Sequence, residues 1–402
     1  MSAIEPFAPE ALEDPYPLYE ALRRDAPVYQ LPETGMWLVT RHEDLVEAAS
    51  KPEIFSSHIS AIVYAGEGVS PTVIQADPDA IGAVDVLATQ DPPKHTDQRR
   101  LMNRTFVHAR IKALEADIVG FVDDVLDAAL PRGSIEWMEE LATPLPVTVI
   151  GSVLGMPDED LDRLREWADA GVDLLSGVTP PERLAVCWQL MTGFLEYLRA
   201  RVHDASPGSV TADVAAAFER GELDEREAVS VLLQLVVAGS ESTTSLLGSA
   251  VRMLAQDHAL QDDLRAHPDR ITVFLEEALR LESPFRGHFR VTTQDTTLGG
   301  VDIPKGARIM LMWGAANRDG DAFHDPAALD LAREHPKQHV AFGSGIHFCI
   351  GAPLARLEAR LTVERLLART RRFSAPDDAR HVPSLFVRRL AALPLELAPE
   401  GA

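Results

Sequence analysis

The sequence predicts a mainly α-helical protein with a smaller β-rich part, and three observations lead there. Residues 112–205 carry apolar side chains at helical spacing, interrupted near Pro131-Arg132-Gly133, Gly155-Met156-Pro157 and Gly177-Val178-Thr179-Pro180-Pro181. Two more strong helices are expected later. One starts at Asp224-Glu225-Arg226-Glu227, a capping-box pattern ahead of an apolar run through Val237; the other follows Pro353, where Leu354, Leu357, Leu361 and Leu366 form an apolar face. Strand candidates, by contrast, are short and sit beside turns. No Gly/Ser/Pro-rich linker, low-complexity tract or repeat divides the 402 residues, so one domain over 1–402 is expected.

From the N-terminus, residues 17–25 read as a helix, and residues 28–31 and 37–40 as a hairpin around Pro32-Glu33-Thr34-Gly35. Another helix begins near Arg41. From Phe55 to Gln90 there is no steady period, and Gly66, Gly68, Pro71, Pro78 and Gly82 fall within it; loops of that length commonly serve as lids or binding loops. Asp91-Pro92-Pro93-Lys94-His95 opens the next helix. Residues 274–280 are helical by spacing and put Glu277 and Arg280 on one face, where a surface ion pair is the ordinary reading. Residues 297–306 and 308–313 read as strands around a turn, and residues 383–388 as a hairpin with Phe386 near its tip.

Hydrophobic residues make up 46% and charged residues 25% of the chain, which suits a globular protein with a sizeable core. The net charge of −24 argues against a general affinity for nucleic acid or anionic lipid. One segment departs from that average. Between Lys94 and Lys112 stand six Lys/Arg (Lys94, Arg99, Arg100, Arg104, Arg110, Lys112) and a single acid, Asp97. A solvated helix face explains most such runs; the sharper reading is a docking patch for an acidic partner, with anchors for cofactor carboxylates. The two cysteines, Cys187 and Cys349, form no disulfide framework, and Cys187 lies in an apolar helical stretch, so a reducing, cytoplasmic setting is expected. The first ten residues lack a basic n-region and an apolar h-region. The longest strongly apolar uncharged run, residues 228–240, has 13 residues, short of the roughly 20 that cross a bilayer, so no membrane span is expected.

That apolar run turns polar at Ala238-Gly239-Ser240-Glu241-Ser242-Thr243-Thr244-Ser245. Hydroxyls bonded back to carbonyls four residues earlier account for the serines and threonines. Glu241 is harder to explain, because a carboxylate in a buried helix needs a partner or a task.

Cys349 stands between a glycine-rich loop and a helix start, with Gly343, Gly345 and Gly351 around it. Helix N-termini favour a thiolate, and a thiolate is a metal ligand or a nucleophile. A lone cysteine is more often a small buried hydrophobe. Here the surrounding pattern decides: Phe342-Gly343-x-Gly345-x-His347-x-Cys349-x-Gly351 resembles the cysteine loop of the cytochrome P-450 family of haem-thiolate monooxygenases. Further elements, in order, also resemble that family. They are Asp91-Pro92-Pro93-x-His95-x-x-x-Arg99-Arg100, Ala238-Gly239-x-Glu241-Ser242-Thr243, and Glu277-x-x-Arg280 with Arg333 downstream.

The resemblance implies a helical prism with a smaller β-rich part, holding haem b between the helix around Gly239 and the Cys349 loop. By the same resemblance Cys349 is the axial iron ligand and Phe342 packs near its sulfur, within the loop shaped by Gly343 and Gly351. His95, Arg99, Arg290 and His347 reach the haem propionates. Ala238 and Gly239 form the dioxygen groove, and Glu241 with Ser242 and Thr243 relays protons. Ser242 departs from the family's threonine, keeping the hydroxyl while losing the β-methyl that limits its rotamers. Glu277, Arg280 and Arg333 are implied to be structural. The implied reaction splits O2 reductively, inserting one atom into a C–H bond of a small, apolar organic substrate and releasing the other as water. Thiolate ligation favours the O–O cleavage.

No glycine fingerprint for flavin or nicotinamide is present, which implies a separate ferredoxin and reductase, docking on a basic patch of Arg99, Arg100, Arg104 and Arg356. A monomer is expected. Pocket residues are implied near Phe285, Gly287, His288 and Phe386, and a substrate roof near Leu174, Leu175, Val178 and Trp188. A peroxide-driven variant, a haem sensor or electron carrier, and a cysteine-nucleophile hydrolase with His347 remain as other readings at this level.

Overall fold

The computed structural model describes residues 5–58, 61–66, 70–75 and 83–399. The helix Glu225–Gln256 is its axis. Its start is a capping box in both directions: the Asp224 carboxylate accepts from the Glu227 N–H (2.8 Å) and the Glu227 carboxylate accepts from the Asp224 N–H (2.9 Å). Its apolar side chains pack against the helices Pro144–Leu154, Leu161–Leu175, Pro181–His203, Ile271–Leu281 and Ala352–Arg369. Trp137, fully buried, locks the preceding segment to it by donating from its indole N–H to the Leu247 carbonyl (3.2 Å). By length and mean hydropathy (1.2) this helix could cross a membrane, which the 13-residue uncharged run did not suggest, but 67% of its apolar window is buried against other parts of the protein. That is the behaviour of a core helix.

The helical breaks fall where glycine and proline predicted them. Helices span Glu115–Ala129, Pro144–Leu154, Leu161–Leu175 and Pro181–His203. The row Leu354, Leu357, Leu361 and Leu366 is buried, with Pro353 in the helix's first turn. Trp188, expected in the substrate roof, is 41% exposed on the outer side of its helix.

The β-rich part is a five-stranded sheet in the order Val28–Gln30, Trp37–Val39, Arg308–Leu311, His288–Thr292, Phe55–Ser56. Neighbours are antiparallel except Trp37–Val39 with Arg308–Leu311, which run parallel. A second sheet joins Thr370–Ser374, Pro394–Pro399 and Ser134–Glu136. Three expectations change. Residues 55–90 are not all loop, since Ala61–Tyr64 pairs antiparallel with Thr72–Gln75; Gly68, Pro78 and Gly82 lie outside the described residues. Thr296–Leu298 pairs with Val301–Ile303 around Gly299-Gly300, while Arg308–Leu311 joins the main sheet instead. The strand Ser134–Glu136 was not foreseen. Short segments acquire strand geometry from distant partners, and such pairing has no local period to read.

Glu277 and Arg280 are both 0% exposed, so the surface-pair reading fails. Arg280 forks onto the Glu277 carboxylate (2.7 and 2.8 Å), Arg333 adds bonds of 2.8 and 3.2 Å, and the Asp330 N–H donates at 3.0 Å. The remaining Arg280 donors reach the carbonyls of Asn317, Pro326 and Ala328. Burial alone would raise Glu277, but the bonds from Arg280 and Arg333 hold it below the ordinary carboxylate range. Arg280→Met removes one partner of a buried pair and leaves three carbonyls without donors. It should cost about 3–5 kcal/mol, measured by denaturant unfolding; a loss below 1 kcal/mol would refute the network's structural importance.

Candidate active site

The Cys349 loop needs glycine twice. Gly343 and Gly345 have φ of 74° and 68°, and a Cβ on Gly345 would stand 2.4 Å from the Ala49 carbonyl oxygen. That approach seats the loop on the helix His42–Ser50. The Cys349 N–H donates to the Phe342 carbonyl (2.9 Å), and the N–H groups of Gly351 and Ala352, at the start of Ala352–Arg369, donate to the sulfur. Even so, burial pushes the Cys349 thiol up, further than these N–H groups, Arg99 and Arg356 pull it down. The helix start thus orients the sulfur without ionising it. A metal ion taking the proton's place is what makes a buried sulfur a thiolate.

Phe342 is half-buried beside Phe348 (ring centroids 6.3 Å apart), with the Arg356 guanidinium 4.4 Å from its ring centre. Arg356, expected in a docking patch, is instead bound to Glu276 (2.7 and 2.9 Å), which also meets His339 (2.9 Å). Sequence reasoning missed Glu276 because it precedes Glu277 in an ordinary helical run and its partners lie 63 and 80 residues away.

Basic side chains converge beside this loop. His95 and Arg99 come from Lys94–Thr105, His288 and Arg290 from the strand His288–Thr292, and His347 from the loop itself. The His95 and His347 ring centroids are 4.4 Å apart, and a His347 ring nitrogen lies 2.9 Å from Ser57 Oγ. Burial pushes His347 down to about 3, with Arg290, His95, His288 and Arg99 adding repulsion. Arg290, 5% exposed, bonds among the described residues to the Phe289 carbonyl (2.7 Å) alone, and burial lowers it to about 10. Asp91 is the carboxylate acting on it, yet Asp91 is held by Ser56 Oγ (2.5 Å) and the Ser57 N–H (2.9 Å). Arg99 is half-buried, with no hydrogen bond or ion pair among the described residues. Buried cations short of carboxylates fit a ligand that brings its own.

The wall that the resemblance sets opposite this loop is the middle of Glu225–Gln256, an unbroken helix. Ala238 is exposed there and Ser242, one turn on, is half-buried. Gly239 faces elsewhere: a Cβ on it would meet Ile150 Cγ1 at 3.3 Å, so its absence lets Pro144–Leu154 pack close. Thr243 shares that face by helical spacing and is buried. Ser240, Ser242, Thr244 and Ser245 each donate to the carbonyl four residues earlier, Ser242 to Ala238 at 2.9 Å. Glu241, 3% exposed, accepts from Arg389 Nη1 (3.0 Å) on one oxygen; the other is buried with no hydrogen-bond partner among the described residues. Burial raises Glu241 to about 7 against the pull of Arg389. Arg389 and its second partner, Asp169 (3.3 Å), were not legible in sequence.

Aromatic side chains cluster around His288, next to Arg290 in sequence. Phe386, on the hairpin near the C-terminus, lies 4.9 Å from Phe285 and 5.4 Å from His288, and the Trp313 indole N–H donates to His288 Nδ1 (2.6 Å).

Comparison with known proteins agrees with this geometry. The family model for cytochrome P450 matches residues 271–384. Cytochrome P450 144 of Mycobacterium tuberculosis is 38% identical over 393 residues, covering 97% of this chain and 90% of its own. The vitamin D(3) 25-hydroxylase of Pseudonocardia autotrophica is 33% identical, covering 97% and 95%. Among solved structures, cytochrome P450 CREJ in complex with (4-ethylphenyl) dihydrogen phosphate superposes with a TM-score of 0.90 at 27% identity, over 98% of this chain and all of that one. A mutant of P450 EryK in complex with erythromycin B gives 0.83 at 31%, over 97% and 99%. The chain belongs to the cytochrome P450 family, in its bacterial type. It is a monooxygenase whose cofactor is haem b, and the carboxylate-poor cluster suits the two propionates of that cofactor.

Glu276 yields a pH prediction. Burial raises it, but bonds from His339 and Arg356 hold it at about 2, below its ordinary 4.5. A depressed carboxylate stabilises the fold fully above its unfolded value and loses that contribution as pH falls through the folded one. At pH 7 Glu276→Gln should be less stable than the parent by about 3 kcal/mol. Urea unfolding across pH should show the gap shrinking below about pH 4.5; a gap independent of pH would refute the assignment.

Proposed function

We propose that this protein inserts one atom of O2 into a C–H bond of a small, largely apolar organic substrate, with electrons delivered by a ferredoxin and its reductase. The observation that carries the reading is Arg290, a buried guanidinium that bonds no carboxylate among the described residues, in the same cluster as the Cys349 loop. In this reading Cys349 ligates the iron, with Phe342 packed beside the loop and Gly343 and Gly351 shaping it. His95, Arg99, Arg290 and His347 hold the propionates. Bound there, haem b supplies the reductive activation of O2. The chain's own work is to orient substrate and to move protons.

Ala238 and Ser242 border the open space, with Gly239 letting the wall pack closely behind them. Glu241 holds a proton near neutrality, and Ser242 Oγ, rotating off the Ala238 carbonyl, presents it to the pocket; Thr243 supports that wall from its buried side. The Phe285, Phe289 and Phe386 rings support an apolar substrate. So does the vitamin D(3) 25-hydroxylase, whose name points to a largely hydrocarbon molecule. For the electron donor we retain Arg100 and Arg104, both exposed, with the half-buried Arg99 behind them; Arg100 also meets Asp97 (2.8 Å) on its own helix, and Arg356 is occupied by Glu276. Lys94 pairs with Glu227, and Arg110 with Asp213, which leaves a smaller patch than the sequence suggested. We read the 402 residues as one domain, since Ile309 pairs with Trp37, 272 residues earlier, within one sheet, and as cytoplasmic, since Cys187 and Cys349 are both free thiols.

The reduced protein under carbon monoxide should show the strongly red-shifted Soret band of thiolate ligation, and Cys349→His should abolish that shift. Absence of bound haem in the wild type would refute the reading. Arg290→Met should release haem to apomyoglobin about tenfold faster, whereas an unchanged rate would remove Arg290 from propionate binding. Ser242→Ala should raise peroxide released per NAD(P)H consumed severalfold; unchanged coupling would exclude a relay through this hydroxyl.

A further inference from the structure

Glu241 is the sole acid between Glu227 and the end of its 32-residue helix, and its partner comes from a distant part of the chain. Arg389 lies on the hairpin after Pro383, where the Val382 N–H bonds to the Arg389 carbonyl (2.8 Å). Its Nη1 reaches two carboxylates on two helices: Glu241 at 3.0 Å on the long helix, and Asp169 at 3.3 Å on Leu161–Leu175. The same hairpin and the same helix also meet at their ends, where the Leu385 N–H donates to the Ser176 carbonyl (2.7 Å).

We propose that Arg389 is a positioning residue that sets the protonation of Glu241 by dividing one guanidinium between Glu241 and Asp169. The inference rests on the reading of Glu241 as a proton carrier. Each carboxylate competes for the same N–H groups, so what Asp169 gains Glu241 loses. Arg389 itself stays charged: burial works against it, and Glu241 and Asp169 outweigh burial. The groups acting on Glu241 are Arg389 from the hairpin and Asp169 and Asp173 from Leu161–Leu175, with Asp173 itself bound to Arg183 (2.7 Å). Two of these oppose ionisation and one favours it. The second Glu241 oxygen has no hydrogen-bond partner among the described residues, so loss of Arg389 would leave a buried carboxylate without a donor there, which takes up a proton instead.

The consequence is a link between substrate and proton supply. Leu175 at the end of Leu161–Leu175 and Leu385 on the hairpin line one cavity together with Phe289, a ring that the proposed function sets beside the substrate. A ligand that draws Asp169 away from Arg389 hands the whole guanidinium to Glu241 and favours its release of a proton. A ligand that presses Asp169 closer does the reverse.

Infrared difference spectra of the ferric holoenzyme across pH test this. The protonated-carboxyl band that Glu241→Gln removes is the Glu241 signal, with a midpoint expected near 7 in the parent. Arg389→Met should raise the proton affinity about tenfold or more, Arg389→Lys should restore most of the parent value, and Asp169→Asn should lower the affinity severalfold. Opposite signs for Arg389→Met and Asp169→Asn are the signature, because a merely structural loss moves both the same way. Should Arg389→Met fail to bind haem, the sign for Asp169→Asn decides alone. Midpoints that stay put, or move together, overturn the inference. Normal coupling in Glu241→Gln overturns instead the reading of Glu241 as proton carrier, whatever the midpoints do.

Discussion

Two adjacent carboxylates on one helix hold the segment around Cys349 in place. Neighbouring residues on a helix point in different directions, so Glu276 and Glu277 on Ile271–Leu281 serve different neighbours. Glu276 takes Arg356 from the helix that follows the cysteine loop and His339 from the segment that precedes it. Glu277 takes Arg280, Arg333 and the Asp330 N–H. Both ends of the irregular stretch before Cys349 are thereby fixed to one rigid element. Residues 320–350 contain little regular secondary structure and could not hold a side chain in register through backbone ladders alone. Buried ion pairs are weak evidence for net stability. Their value here is directional, because a planar guanidinium satisfied on both edges admits one arrangement of the loops around it.

The electrostatics of the site divide along the same geometry. Around the cysteine loop, Arg99 and Arg290 gather with His95, His288 and His347, and among the described residues neither arginine bonds a carboxylate. On the facing wall a single acid lies buried with part of one arginine. Neither half is comfortable alone in a low-dielectric interior. Burial lowers Arg290 and raises Glu241, each toward its neutral form. Strained protonation of this sort, on two sides of one space, marks a place built around something other than the chain's own stability.

Much of this was legible from residue order, and the limits have a physical pattern. The capping box at Asp224, the leucine row after Pro353 and the proline–glycine breaks are local events, written within a turn or two of the residues they affect. The glycines and cysteine of the loop form a local pattern as well. Partnerships across the chain were not written locally. Arg356 carries the sequence signature of an exposed helix charge and is occupied by a glutamate 80 residues earlier. Trp188 has the composition of a pocket wall and faces outward. Ser134–Glu136 becomes a strand because residues 394–396 lie beside it. A side chain's partner is set by the packing of whole helices, so charge and hydropathy at one position do not reveal it.

The helix Glu225–Gln256 shows how a polar site is housed inside an apolar core without breaking the element that carries it. Ser240, Ser242, Thr244 and Ser245 satisfy their donors on their own helix, so each adds a hydroxyl at little desolvation cost. Only Ser242 among them also borders the open space beside Ala238. Its bond to the Ala238 carbonyl can be given up by a rotation about one χ1, and with no β-methyl the rotation meets less resistance than in threonine. The departure from the family's threonine therefore sits at the one hydroxyl of this run where side-chain freedom matters. In the proposed relay, that freedom bears on the proton path rather than on the packing of the helix.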